Sequence, residues 1–450
     1  MFKEGEGVLH KTALRKPLEM VALVMVLAFS LVALCDSGVF GMRVVEAYEP
    51  TRGTSASHVS MTMGAGVPLL YLPMIMRAPI VNQGNPRVGF AACTVGRLSS
   101  YRDIAQLKAG WYLDYGATAT FERPQGAVFV QSVYLHQNTT CGRMIRDRVA
   151  CPYVTPYTYT VAPSIASIQA MARSVPGSVW LLGTEVDRVD YGRDTRWGHD
   201  DVYGPVAPGG HNEMMPELYA QAYRALHDAL EEADPTAKVA IASVVQGTPL
   251  RIAYLNRVWA EYERLYHTGM PVDVFNVHAF IIKEDCNDHG ADVPPGSGDC
   301  QGKCCATDRD YCTDLHHINL RLFDEYIRAY RQWMKDHGQQ NKPLIVTELG
   351  VAYRYDWPPY QGTYYETPQV VVDWLRATFD YMLNTKDSNL GLPADGGRLV
   401  QAWAWFSLDG GIEGDKHPSL LNPDGTLSPV GQAFAEWSRT HNAPLPSGLW

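Results

Sequence analysis

No stretch of this chain concentrates Lys or Arg, and its formal net charge is −10. A nucleic-acid partner, which needs a basic face to meet phosphates, is therefore not expected. No G-x-G-x-x-G follows the first candidate strand and no G-x-x-x-x-G-K-[ST] is present, so the signatures of a phosphate cradle are missing. Paired C-x-x-C spacing is absent, which weakens a zinc reading of the cysteines, and EF-hand-like spacing is absent from the acidic segments. Charged residues make up only 19% of 450, against 46% hydrophobic. Most of the chain can therefore build a core, either one large domain of barrel size with extras or two ordinary ones.

What is present begins with an apolar segment, Met20 to Cys35, broken only by Ser30 and preceded by Lys11, Arg15 and Lys16. It is slightly short for a membrane span and has the layout of a secretory signal with a long basic start. Val45-Glu46-Ala47 offers a small-x-small cleavage site; an uncleaved anchor with its basic end inside is the alternative. Leu34 is too large for the position before a lipidated cysteine, which disfavours lipidation of Cys35. Residues 1–47 are thus a signal or anchor, and membrane contact is expected only through it. Export suits the nine cysteines: setting Cys35 aside leaves eight. Cys141 and Cys151 bracket a short loop as a local disulfide pair. Cys286, Cys300, Cys304, Cys305 and Cys312 crowd one insertion, with Cys93 a long-range partner for one of them. That insertion also holds Asp285, Asp288, Asp292, Asp299, Asp308, Asp310 and Asp314.

Residues 48–86 show little periodicity and are rich in Gly, Ser, Thr and Pro, as a linker would be; 67–76 is an apolar strap inside it. From Arg87 short apolar runs alternate with amphipathic stretches, the pattern of βα units around a parallel sheet. Candidate strands are 87–91, 109–115, 127–136, 178–185, 238–245, 272–280, 343–349 and 398–406. Candidate helices are 164–174, 214–233, 249–266, 315–337 and 367–383, with a last one starting at Ser428-Pro429. Eight strands closed by helices predict a (β/α)8 barrel over 87–442, irregular after the second strand because no full helix fits there. A doubly wound open sheet is the alternative.

Two of the apolar runs end in glutamate: Trp180-Leu181-Leu182-Gly183-Thr184-Glu185 on the fourth strand and Ile345-Val346-Thr347-Glu348 on the seventh. In a parallel barrel every strand C-terminus opens on one face, so both carboxylates are aimed into one cleft. Three βα units of about 30 residues would separate them by roughly 90 positions. The excess falls in 186–213 and 281–314, after strands four and six, where long loops build a cleft. Paired carboxylates in a cleft are the minimum kit for glycosidic hydrolysis.

Glutamates on the fourth and seventh strands resemble the retaining glycosidases of clan A, and within it the glycosyl-hydrolase catalytic-core family that includes endo-β-1,3-glucanases. The resemblance also draws on Gly110-Trp111-Tyr112-Leu113-Asp114-Tyr115, Phe275-Asn276-Val277-His278, the extension Glu348-Leu349-Gly350, and Trp403-Ala404-Trp405-Phe406. It implies Glu185 as general acid/base, held protonated, and Glu348 as an ionised nucleophile. The substrate would be a β-linked polysaccharide or oligosaccharide, with no cofactor or metal, cleaved by a monomer. Thr184 stands where the clan has the Asn that meets the sugar 2-hydroxyl, and leaves a catalytically weak, carbohydrate-binding barrel as the alternative. His136, Asn276 and His278 are candidates to face the cleft from strands three and six. Trp405, with Trp111 as a weaker candidate, is expected to stack beneath the sugar. Asp187 and Arg188 are expected to pair with one another or to orient their loop.

Overall fold

The protein is represented by a computed structural model, which describes residues 41–46, 57–62, 71–74, 83–92, 97–141, 148–189, 212–282, 284, 291, 293–297, 318–351, 368–409 and 419–450. The chain divides into two units, Met1–Ile80 and Val81–Trp450. In the first, β1 (Gly41–Glu46), β2 (Ser57–Thr62) and β3 (Tyr71–Met74) form an antiparallel sheet in the order β1-β2-β3. The apolar segment 20–35 lies outside the described residues. Among those described, no helix is long and apolar enough to cross a membrane.

The second unit is a closed parallel barrel. Its strands are β4 (Asn85–Ala91), β5 (Ala109–Leu113), β6 (Val128–Phe129) continuing into β7 (Gln131–Gln137), β9 (Val179–Leu182), β10 (Lys238–Ile241), β11 (Phe275–His278), β12 (Leu344–Leu349) and β13 (Ala402–Phe406). β6 pairs with β5 and β7 with β9, so the two segments, joined at Val130, make one bent third strand. The gap between β10 and β11 is closed by a parallel bridge, Ala240 to Val274, and β13 returns to β4. This ladder is the eight-stranded barrel expected from the sequence. β8 (Tyr159–Ala162) is an antiparallel addition to β7.

The helices are α1 (Ile165–Ser174), α2 (Pro216–Ala233), α3 (Pro249–Tyr266), α4 (Leu320–Asp336), α5 (Pro368–Asn384) and α6 (Pro429–Thr440). Local chemistry sets several of their starts. Ser164 caps α1 by accepting from Ser167 N–H, and Ser428 caps α6 with proline at the first helical turn. Among the described residues, only short 3₁₀ turns join the first three barrel strands, which is the irregular side.

Two apolar layers hold the barrel. Ala91, Leu113, Val130, Leu181, Ala240, Val274, Ile345 and Ala404 fill its lumen, while Trp403, Trp405, Phe379, Phe434 and Trp437 belong to the strand–helix layer. Burying side chains of this size contributes about 1.5–3 kcal/mol each against leaving them exposed. Trp111 and the C-terminal Trp450 meet in the lumen layer, 5.2 Å apart, and Trp450 Nε1 donates to Pro86 O at the first strand's N-terminal end. The N-terminal mouth is thereby plugged, leaving the C-terminal mouth for chemistry.

The expected Cys141–Cys151 disulfide is formed. The cysteines placed in the insertion, and Cys93, lie outside the described residues, as do the seven insertion aspartates.

Candidate active site

β9 stops at Leu182, and Glu185 lies three residues on in a tight turn rather than at a strand terminus. The turn needs Gly183: its φ is +105°, and an added Cβ would stand 2.8 Å from Val186 Cγ1 and 3.2 Å from Ala242 Cβ. Glu185 itself has φ +47°, a left-handed conformation that costs a glutamate energy and recurs at functional sites. The turn is fixed by three hydrogen bonds from two residues. Ser243 Oγ accepts from Glu185 N–H at 3.1 Å, Asn212 Oδ1 accepts from Thr184 N–H at 3.2 Å, and Asn212 N–H donates to Thr184 O at 3.0 Å. Tyr219 of α2 inserts its hydroxyl between the strands, donating to Leu182 O and accepting from Ala242 N–H.

Glu348 is in β12, paired in register with His278 at the end of β11. His278 sits between the glutamates. Its Nδ1 is 3.0 Å from Glu185 Oε1, and its Nε2 is 3.3 Å from Glu348 Oε1 without hydrogen-bond alignment. One ligand atom from each of the three residues lies within 4.8 Å of the other two. Tyr115, two residues beyond β5 and also left-handed at φ +61°, donates its hydroxyl to Glu348 Oε1 at 2.7 Å. Arg188 Nη1 binds Glu185 Oε2 at 2.9 Å.

These contacts set the charges. Burial pushes the Glu348 carboxyl up to about 7; His278, the Tyr115 hydrogen bond and Arg188 pull against it, and the charge of Glu185 adds to it. Burial works against charge on His278, yet Glu348 and Glu185 together raise its pKa above the ordinary imidazole value. The carboxylate form of Glu185 is the one its ion pair with Arg188 favours.

A buried network lies behind the turn. Asp187, 0% exposed, accepts from Val245 N–H and from Arg251 Nη1 at 3.1 Å, and Arg251 Nε donates to Glu284 Oε1 at 3.1 Å. Burial lifts Asp187 to about 6, with Arg251 opposing the rise. Asp187 and Arg188 therefore take different partners, so of the two sequence readings the mutual pair gives way and the orienting of their loop stands.

The remaining candidates divide. Thr184 Oγ1 is buried beside Glu185 and makes no hydrogen bond among the described residues. His136 ends near the third strand's C-terminus with its ring parallel to Tyr134, 6.2 Å away. Asn276 keeps the inward parity of His278, with the extra residue at the register shift lying on β12, but it is 0% exposed below the mouth, and its Oδ1 accepts from Thr347 Oγ1 at 2.8 Å. Trp405 is likewise 0% exposed and packs on Phe379 in the outer layer, and Trp111 fills the lumen. Neither is available to stack on a sugar. The aromatic at that end of the eighth strand is Phe406, which contacts Tyr115 at 6.5 Å and Phe280 at 5.9 Å. Phe406, Tyr115 and Arg188 are the residues whose place at the site the sequence did not disclose.

The chain matches no protein-family profile and no curated protein. Among solved structures it is similar to a family 51 alpha-L-arabinofuranosidase from Bifidobacterium longum, at 12% identity over 80% of this chain and 74% of that one, with a TM-score of 0.41. It is also similar to GH5_18 from Streptomyces cattleya in complex with GlcNAc, at 13% identity over 81% of this chain and 82% of that one, TM-score 0.39. A GH10 xylanase from Thermobacillus composti aligns at 10% identity over 79% of this chain and 97% of that one, TM-score 0.36. The barrel assignment rests on the chain's own strand pairing.

Proposed function

We propose that the protein is an exported retaining glycoside hydrolase of the clan A type, acting on a β-linked glycan. The observation that carries this reading is the Glu185–His278–Glu348 cluster at the C-terminal mouth of the barrel, its ligand atoms within 4.8 Å of one another. That spacing suits a retaining mechanism, in which the carboxyl groups stand about 5–5.5 Å apart, better than an inverting one, which leaves room for water between them. Export is supported by the basic-then-apolar start of the sequence.

In the reaction, a carboxylate oxygen of Glu348 attacks the anomeric carbon while the Glu185 proton passes to the glycosidic oxygen. The C–O bond breaks with its electron pair on the leaving sugar, and a glycosyl ester forms on Glu348. Glu185, now a carboxylate, removes a proton from water as the water attacks the same carbon. The ester bond breaks and both glutamates return to their starting state. Tyr115 steadies the nucleophile through its hydrogen bond to Glu348 Oε1.

The second reading is a carbohydrate-binding barrel with little catalysis. It is favoured by the resting charges, since Glu348 is pushed toward its neutral form while Arg188 holds Glu185 toward its charged one. A screen on β-1,3-, β-1,4- and mixed-linkage glucans, mannans and xylans separates the two. Release of new reducing ends, abolished by E348Q, is the expected result. Affinity without release by the wild type supports the binding barrel, and turnover that survives E348Q removes Glu348 as nucleophile.

A further inference from the structure

We propose that Glu213 is a positioning residue for the proton transfer of Glu185, and that the loop closed by the Cys141–Cys151 disulfide acts on the site through it. This rests on the glycosidase reading and adds residues that set the geometry of the same site.

The link is a short ladder. Asn212 N–H donates to Thr184 O at 3.0 Å and Met214 N–H donates to Val186 O at 2.9 Å, so two backbone hydrogen bonds bracket Glu185. On its other side the same segment meets the third strand: Leu135 N–H donates to Asn212 Oδ1 at 2.9 Å, and Gln137 N–H to Glu213 O at 2.9 Å. Residues 212–214 therefore bridge that strand and the Glu185 turn. Ser243, which accepts from Glu185 N–H, stands two residues past β10 and is placed by the barrel. Residues 212–214 belong to no strand or helix, so they keep their place through these contacts and through whatever anchors their side chains.

Glu213 supplies the anchor. Its side chain is 0% exposed, and Arg148 grips it with two donors, Nε to Oε1 at 2.6 Å and Nη2 to Oε2. Tyr153 donates its hydroxyl to Oε1, and the Arg148 guanidinium lies over the Tyr153 ring, 5.3 Å from its centroid. Arg148 sits inside the loop that the disulfide closes, and Tyr153 follows Cys151 by two residues. A buried carboxylate deprived of a bidentate cation is driven to take up a proton or to move toward water. Either response loosens 212–214, and with it the hydrogen bonds on both sides of Glu185. The left-handed backbone of Glu185, φ +47°, holds only while its surroundings over-determine it. As it relaxes, the carboxyl gives up its 3.0 Å contact with His278 and the alignment that proton transfer needs.

The test compares the full chain with R148M, R148K and C141S/C151S. It measures kcat/KM on dinitrophenyl and phenyl glycosides of the sugar the wild type hydrolyses, and hydrogen exchange in peptides covering 182–188 and 212–216. Dinitrophenolate leaves with little help from an acid, whereas phenolate needs the proton. R148M should lower kcat/KM on the phenyl glycoside about tenfold or more beyond its loss on the dinitrophenyl glycoside, part of the roughly 10²–10⁴-fold that a general acid supplies. Both peptides should exchange about tenfold faster, while α3, α4 and α5 keep their wild-type protection. R148K, which keeps the charge but not the fork, should fall between wild type and R148M, and it carries the test if R148M does not fold. C141S/C151S should shift both readouts in the direction of R148M; a disulfide variant that matches wild type overturns the loop's part. Equal losses on the two glycosides, or unchanged exchange at 182–188, overturns the positioning role of Glu213 and leaves the glycosidase reading standing. A wild type that cleaves no glycoside overturns both.

Discussion

Four side chains and burial act on the charge of Glu348, Glu185 alone of the four siding with burial. Burial drives the carboxyl toward neutrality and prevails, placing its pKa near 7 against the pull of His278, Tyr115 and Arg188. The sign of the pH dependence follows. Glu348 acts as a carboxylate, so kcat/KM of the free enzyme should fall as pH drops through about 7. Y115F removes a hydrogen bond that favours the charged form, so the acidic limb should move to higher pH, measured on an activated aryl glycoside. A limb that stays in place would detach Tyr115 from the nucleophile. At this scale the sequence was partly legible. The two glutamates stood out because an apolar strand ending in a carboxylate is a sharp local contrast. Phe406 did not, because both faces of a barrel strand are buried and Trp403-Ala404-Trp405-Phe406 offers no alternation to say which ring faces inward.

Between elements, the load falls on the loops that follow strands four, five and six. Arg251, from the first turn of α3, joins Asp187 behind the Glu185 turn to Glu284 beyond β11, and also donates to Ala291 O. Gln246 and Thr248 add donors to Glu284. One buried cation thus ties three loops into the floor under Glu185. R251M should leave two buried carboxylates without their counter-charge and cost about 3–5 kcal/mol, read as a lower urea midpoint with unchanged slope. A loss below about 1 kcal/mol would mean that the network is not dry. Helices and strands were well legible, since Ser164 and Ser428-Pro429 mark starts and the apolar runs mark strands. The ties were not. Asp187 and Arg188 are adjacent and opposite in charge, and only the turn between them sends one inward to Arg251 and the other outward to Glu185.

For the whole molecule, the decisive property is closure. Pairing runs from β4 through β13 and back to β4, with the Ala240–Val274 bridge completing the circuit. Closure brings the fourth and seventh strands, far apart in sequence, to one mouth, while Trp111 and Trp450 occupy the other. Strand count and order were readable from the alternation of runs; the fine register was not, because the shifts at Val277/His278 and Val346/Leu349 have no local sequence mark. The central claim is that Glu348 forms a covalent bond to the sugar while Glu185 handles the proton. The most direct test incubates the protein with a 2-deoxy-2-fluoro glycoside bearing a dinitrophenyl leaving group, matched to the sugar it hydrolyses, and sequences the labelled peptide by mass spectrometry. A fluoroglycosyl ester on Glu348 is the result this account predicts; a label on Glu185, or turnover with inverted anomeric configuration and no label, would contradict it.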